Sequence, residues 1–267
     1  MEQTEQTIKV ALGVEYQGTH YCGWQRQSHC LSVQQELEQA LTQIADQPIE
    51  LFCAGRTDTG VHALGQVVHF ETTAQRPLKA WVQGVNTKLP GEIRVAWAQF
   101  QEPEFHARFS AVARQYRYVI FNRDVHSAVL HNRVTWEPHR LDEQAMHRAA
   151  QALIGEQDFS AFRASSCQAS HARREVQSVN VSRHGDMVFI DIRANAFLHH
   201  MVRNISGTLM AVGRGLKPEV WVAELLEGKD RTRAAPTAPA SGLYFVNAIY
   251  PDECKIQQVE LNELLWN

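Results

Sequence analysis

The sequence predicts an α+β protein of two ferredoxin-like or RRM-like halves, with mainly antiparallel sheets that adjoin and helices outside. Three observations carry that expectation. Over roughly the first 100 residues, alternating β-rich segments and segments of helical period follow one another as strand, helix, strand, strand, helix, strand. A similar order of elements returns in the rest of the chain, without repetition of the residues themselves. A chain of 267 residues also suits two halves of roughly 130 residues each. The division is placed between residues 1–105 and 106–267.

Ile8 to Tyr16 alternates and forms the opening strand, and a loop through Gly18, Gly23 and Trp24 then carries Arg26. Ser32 starts a helix. Val33, Leu37, Leu41 and Ile44 recur at helical spacing through Ala45, with Glu36 and Glu38 near the positive end of the dipole. Leu51 to Ala54 is a short strand, Gln66 to Phe70 alternates as another, and Pro77 to Asn86 is a helix with proline in its first turn. Ile93 to Phe100 closes this half as a strand. In the second half, Arg114 to Phe121 is strand-like and Leu141 to Ile154 is helical. Val176 to Ser182 and Met187 to Ala194 form a hairpin around His184-Gly185, Phe197 to Val212 a long helix, and Pro218 to Leu226 a shorter one. A loop rich in Arg, Ala and Pro, Arg231 to Ala240, leads into the last strand, Leu243 to Ile249.

With 44% hydrophobic and 21% charged residues and no low-complexity tract, the composition excludes a disordered chain. A net charge of −3 argues against coating nucleic acid by bulk charge, but the distribution matters more than the sum. Between Phe105 and Arg123 stand Arg108, Arg114, Arg117 and Arg123 with no acid, whereas Asp252, Glu253, Glu260 and Glu263 near the end face Lys255 alone. A polyanion fits the first surface. Five cysteines, 22, 30, 53, 167 and 254, form no Cys-x-x-Cys pair, which suggests reduced thiols and no thiolate zinc site. The polar stretch Met1 to Gln6 and the lack of a long apolar run point to a soluble cytoplasmic protein.

The stretch Gly55-Arg56-Thr57-Asp58-Thr59-Gly60-Val61-His62-Ala63 places one carboxylate at a tight turn between two strands. Glycines 55 and 60 permit turn backbone angles, and Thr57 and Thr59 offer hydroxyls to the turn. Two readings of Asp58 stay open here, a reactive group and an aspartate that caps its own turn. Asp58-Thr59-Gly60 also spells an aspartic-protease triplet, but such enzymes share a proton between two carboxylates and no second copy exists. Ala113 to Tyr118 alternates so that Arg114, Tyr116 and Tyr118 share one face, suited to a nucleobase and its phosphates or, equally, to a core tyrosine pair. In Phe197 to Asn204, Leu198, Met201 and Val202 face inward, and Arg203 either stands near a buried seam, where a carboxylate partner would explain it, or lies on the polar side of the helix as a lone arginine ordinarily does. Leu243, after Ala240-Ser241-Gly242, either walls a pocket or edges a strand. His199 and His200 sit about 100° apart on a helix with no third ligand in step, so a metal is not expected.

Taken together, these segments resemble the tRNA pseudouridine synthase A (TruA) family. The resemblance rests on residues 55–63, Phe-His-Ala-Arg-Phe-Ser-Ala at 105–111, Arg-x-Tyr-x-Tyr at 114–118, Asp158-Phe159-Ser160-x-Phe162, the run 197–204, and Ala240-Ser241-Gly242-Leu243. Thr59 departs from the alanine usual in the family. The resemblance implies the pseudouridine synthase fold and a cytoplasmic homodimeric isomerase that converts uridine to pseudouridine at positions 38, 39 and 40 of the tRNA anticodon stem-loop, without cofactor or metal. It implies Asp58 as nucleophile and Tyr116 as the residue that stacks on a flipped base. Arg203 becomes the partner that keeps Asp58 ionised, Arg56 fills the vacated space or holds the flipped backbone, and Leu243 forms an apolar wall. Arg114 and Arg174 are expected on phosphate. The competing class is a catalytically silent RNA-binding or tRNA-folding protein that uses the same groove.

Overall fold

The structure, a computed structural model, describes residues 7–260. Met1 to Gln6 and Glu263 therefore lie outside the described residues. Along the chain run β1 (Ile8–Tyr16), α1 (Val33–Ala45), β2 (Phe52–Cys53), β3 (His62–Thr72), β4 (Ile93–Gln101), β5 (Ala113–Asn122), β6 (Thr135–Glu137), α2 (Glu143–Ala150), β7 (Gly155–Asp158), β8 (Arg173–His184), β9 (Met187–Ala194), α3 (Met201–Gly213), α4 (Trp221–Gly228) and β10 (Leu243–Ile249). The protein is of the α+β class and its strand pairs are mainly antiparallel. Two compact units divide it: residues up to Val112 join Phe245–Val259 in one, and Ala113–Tyr244 form the other.

In the first unit the strands lie in the order β4-β1-β3-β10, with β2 also on β3. Leu12, Phe70 and Ile93 fill its interior, as the alternation of their strands dictates. Helix α1 begins as its sequence suggests: the Ser32 hydroxyl accepts the Gln35 N–H at 3.3 Å. Its end is a left-handed residue, Asp46 at φ 58°. Glu38, expected as a charge near the dipole, is instead buried: its carboxylate accepts the Leu51 N–H at 3.0 Å and pairs with Arg26. Between β3 and β4 the helical residues 78–86 contain a wider π-type turn over Ala80–Gly84, which sets Trp81 edge-on to Phe70 at 5.2 Å.

The second unit has the order β5-β9-β8-β7, with β6 parallel to β5. Antiparallel β1-β3-β2 and β5-β9-β8 thus repeat one arrangement, in agreement with the repeated element order of the sequence. Arg117 and Asp191 face each other across β5 and β9 and join in a bidentate pair at 2.7 and 2.9 Å. Helix α2 starts on Asp142, whose carboxylate accepts the N–H groups of Gln144 and Ala145. It then tightens into a 3₁₀ turn, Gln151–Leu153, so the expected helix to Ile154 is shorter. The helix expected from Phe197 starts only at Met201, because His200 adopts the left-handed conformation at φ 61°.

One expectation is corrected in part: Cys22 and Cys30 are paired, with Cα atoms 6.2 Å apart, a separation that a disulfide spans under oxidising conditions. No sequence pattern marks the pair; the loop brings them together when Cys22 N–H donates to Leu31 O at 2.8 Å. Cys53, Cys167 and Cys254 are not bridged. Closing so short a loop removes chain entropy worth about 2–3 kcal/mol. Urea unfolding with and without dithiothreitol is expected to show that loss on reduction, and Cys30→Ser is expected to unfold at the reduced midpoint in both buffers.

Candidate active site

The strand pair β2 and β3 is in register at Phe52↔His69 and Cys53↔Val68, and residues 54–61 turn the chain between them. Gln66 clamps the entrance to this turn: its amide donates to Gly55 O at 2.6 Å and its oxygen accepts the Gly55 N–H at 3.4 Å. Thr57 points inward, and its hydroxyl shares a 2.7 Å hydrogen bond with the buried Tyr16 phenol rather than serving the turn itself. Burial raises the Tyr16 pKa strongly, so that phenol stays neutral. Val61 N–H closes the turn on Asp58 O at 3.1 Å, with Gly60 at φ 78° supplying the left-handed step. Gly55 does a different job from Gly60: a Cβ there would meet the Phe245 ring at 3.1 Å. Asp58 is half-buried, whereas Arg56 and Thr59 are exposed on either side.

A second loop braces this turn from behind. Trp24 N–H donates to Thr57 O at 3.0 Å, and Gly18 N–H donates to the buried His62 Nδ1 at 3.0 Å. Glycine is obligatory at Gly23, since at φ 86° a Cβ would lie 2.5 Å from Thr57 O. The Asp58 backbone is therefore held by main chain on main chain.

The remaining expected site residues belong to the second unit. Tyr116, on β5, is nearly buried and meets the Phe197 ring edge-on at 5.0 Å. Tyr118, on the same face, is a core residue whose hydroxyl meets Thr135 Oγ1 at 2.5 Å and donates to Pro239 O at 2.9 Å. Both tyrosines of the expected pair are thus buried, Tyr118 completely and Tyr116 with a small part of its surface left to solvent. Arg203 is half-buried in the first turn of α3, and its Nε donates to Ala238 O at 2.9 Å. Ala238 N–H returns a bond to Arg203 O at 3.2 Å, so helix and loop hold each other. Leu243 is buried at the start of β10, behind Gly242, where a Cβ would sit 2.8 Å from the Tyr118 ring. Arg114 donates to Asn195 O at 3.2 Å. Arg174 bonds His171 O at 3.2 Å, and burial lowers its pKa.

Several residues of the quoted motifs, to which no role was assigned from the sequence, act as positioning residues. Asn204, fully buried one residue after Arg203, donates to Phe162 O at 2.8 Å and accepts from Arg231 and Thr237 at 3.0 and 2.6 Å. It thereby pins the loop that leads to Leu243. Asp158-Phe159-Ser160 is a local turn, with Asp158 accepting from the Ser160 hydroxyl at 2.6 Å, while Phe159 and Phe162 are core. His199 and His200 precede α3 rather than lying on it, and their rings are 4.0 Å apart; the helical argument about them does not hold.

The family described as tRNA pseudouridine synthase matches residues 13–110 and 149–251, a span that contains the Asp58 turn, Arg203 and Leu243. A curated tRNA pseudouridine synthase A from Hydrogenovibrio crunogenus is 68% identical over 257 residues, covering 96% of this chain and 98% of that protein. The chain belongs to the tRNA pseudouridine synthase A family. It is an isomerase that makes pseudouridine in tRNA. The enzyme of the same name from Escherichia fergusonii is 55% identical over 263 residues, covering 98% of this chain and 97% of its own. A solved archaeal box H/ACA sRNP Nop10–Cbf5 complex aligns with a TM-score of 0.34 and 10% identity over 89% of this chain and 48% of that chain, too remote to bear on the site. Among the described residues, no helix is long and apolar enough to cross a membrane.

Gly23→Ala tests the brace behind the synthase's turn. Left-handed strain plus the contact with Thr57 O is expected to destabilise the first unit by about 2–4 kcal/mol, read as a lower urea midpoint, with activity falling even where the protein remains folded.

Proposed function

We propose that this synthase acts on uridines 38, 39 and 40 of the tRNA anticodon stem-loop and that Asp58 carries the covalent or glycosidic step. The observation that supports this assignment is a carboxylate on a turn whose flanking backbone is tied at Gly55, Thr57 and Val61, where a merely capping aspartate would need no such bracing. A stem uridine must leave its stack before any group reaches it, at an unstacking cost of about a few kcal/mol. Exposed Arg56 takes the vacated space or holds the flipped backbone. Tyr116 stacks on the extruded base, with its ring steadied by Phe197, and Leu243 walls the pocket.

Isomerisation breaks the bond from the sugar to ring nitrogen, turns the base, and rejoins the sugar to a ring carbon; that carbon gives up its hydrogen as a proton and the freed nitrogen takes one up, so the net composition is unchanged. Asp58 assists by attack on the sugar or the base. Arg203, held by the Ala238 carbonyl, is assigned as the partner that keeps the Asp58 carboxylate ionised. In this reading the enzyme works as a homodimer in the cytoplasm, on its tRNA substrate.

Two measurements test the assignment. Asp58→Asn is expected to keep tRNA affinity and lose roughly three orders of magnitude in rate, about 4 kcal/mol of barrier; equal pseudouridine formation by mutant and wild type would favour a silent RNA-binding role for the turn. Arg114→Gln and Arg174→Gln are each expected to flatten the salt dependence of tRNA binding by about one counterion, and an unchanged slope in both removes them from the phosphate surface.

A further inference from the structure

The segment Phe105 to Ala111 has no part in the roles assigned above, yet it is built with care. Ala107, fully buried, donates its N–H to His69 Nδ1 at 3.1 Å and accepts the Tyr250 hydroxyl at 2.6 Å. Burial, with the charges of His106 and Lys9 added, lowers the His69 pKa to about 4, so the ring stays neutral and able to accept. His106 Nδ1 accepts the N–H groups of Arg108 and Phe109 at 3.1 and 3.3 Å, and the Ser110 hydroxyl accepts the His106 N–H at 3.0 Å. This bonding leaves the loop little freedom, and it holds Phe109 outward with 75% of its surface exposed.

Phe109 is not a stray surface ring. It begins a continuous aromatic row: Phe109 to His106 at 4.4 Å, His106 to His69 at 4.6 Å, and His69 to Phe52, itself 43% exposed, at 5.2 Å. Arg108 lies over the Phe109 ring, 5.4 Å from its centre. Phe52, at the far end of the row, stands on β2, the strand that leads into the Asp58 turn. Burial pushes the Cys53 thiol, next to Phe52, up to about 12 against the pull of two cations, Arg56 of that turn and Arg108 of this loop. The charges that bear on His106 are likewise both positive, Lys9 and Arg108. His69 lies buried beneath this row, and its exposed ends, Phe109 and Phe52, are joined at the surface through half-buried His106, which stands 5.4 Å from Phe52. Exposed rings with Arg108 beside them suit a strand of unpaired nucleotides, because every base offers a face to stack and every step a phosphate to pair.

We propose that Phe109 stacks on an unpaired nucleobase of the tRNA substrate and that Arg108 holds the adjoining phosphate, so that His106 and Phe52 continue a track for single-stranded RNA toward Arg56 and Asp58. The proposal rests on the reading of Asp58 as the catalytic group only for its direction of travel. Stacking itself is independent of that reading.

Binding of unmodified tRNA and its pseudouridine formation are measured for Phe109→Ala, Phe109→Leu, Phe109→Trp and Arg108→Gln in the full-length enzyme, with thermal unfolding as a fold control. Phe109→Ala is expected to weaken tRNA binding and raise KM roughly tenfold, with kcat at saturating tRNA within about twofold. Phe109→Leu, which keeps an apolar side chain but no ring, is expected to lose as much, and Phe109→Trp to restore affinity. Arg108→Gln is expected to lower the salt slope by about one counterion. Wild-type affinity in both Phe109→Ala and Phe109→Leu overturns the proposal. So does a shift of Phe109→Ala to a smaller oligomer in sedimentation at unchanged affinity, which assigns the ring to contact between copies of this chain. If Asp58→Asn leaves the rate intact while Phe109→Ala still weakens binding, the catalytic assignment fails and the stacking track stands.

Discussion

The close approach of two stretches of main chain governs the first unit. At Gly18 and Gly23 the loop after β1 comes so near the 57–61 turn that a Cβ would lie 1.9 Å from Val61 O and 2.5 Å from Thr57 O. Much else is built outward from that contact. Gly23 O and Trp24 O accept the N–H groups of Val33 and Gln34, so the same loop seats the first turn of α1. Further along that helix, Glu38 reaches both Arg26 of the loop and the backbone of Leu51 before β2. Loop, helix, strand and turn thus form one circuit of bonds, and Asp58 sits at the place where it closes.

The second unit solves a related problem with side chains. Arg203 and Asn204 are neighbours on α3, and each grips the loop that runs from Arg231 toward Leu243, one through Ala238 and the other through Arg231 and Thr237. A charged residue and a buried amide in the first turn of a helix are unfavourable placements on their own. Here each gains defined partners, and a stretch rich in alanine and proline gains a single course. For an isomerase this order matters, because groups that act on a reacting base and sugar must already be held in place when the substrate arrives.

Much of this was legible in the sequence, for physical reasons that also explain what was not. Strand alternation in Ile8 to Tyr16 and Leu243 to Ile249, and the helical spacing of Val33, Leu37 and Leu41, report burial directly, and these elements stand where the pattern put them. Gly60 betrayed its turn because a left-handed backbone selects glycine. Interactions between distant residues leave no such trace. Gln66 occupies an inward strand position that apolar side chains could fill, Thr57 looked like a turn residue until Tyr16 claimed its hydroxyl, and Cys22 and Cys30 acquired meaning only when Leu31 returned to the strand end. His200 misled for a local reason: its left-handed conformation stopped the helix that the apolar spacing of Leu198 and Met201 had continued.

The residues from Phe245 to Val259 belong to the unit that begins at the other end of the chain. They add β10 beside β3, they accept the Val112 N–H through Ile249 O, and they supply the Tyr250 hydroxyl that holds Ala107. During synthesis the ribosome delivers the strands β1 to β4 long before this segment emerges, so the first unit waits, incomplete at one sheet edge, while the whole second unit is translated. The first unit is therefore completed only by a segment translated after the whole second unit, and the loop that presents Phe109 gains its Tyr250 anchor no earlier.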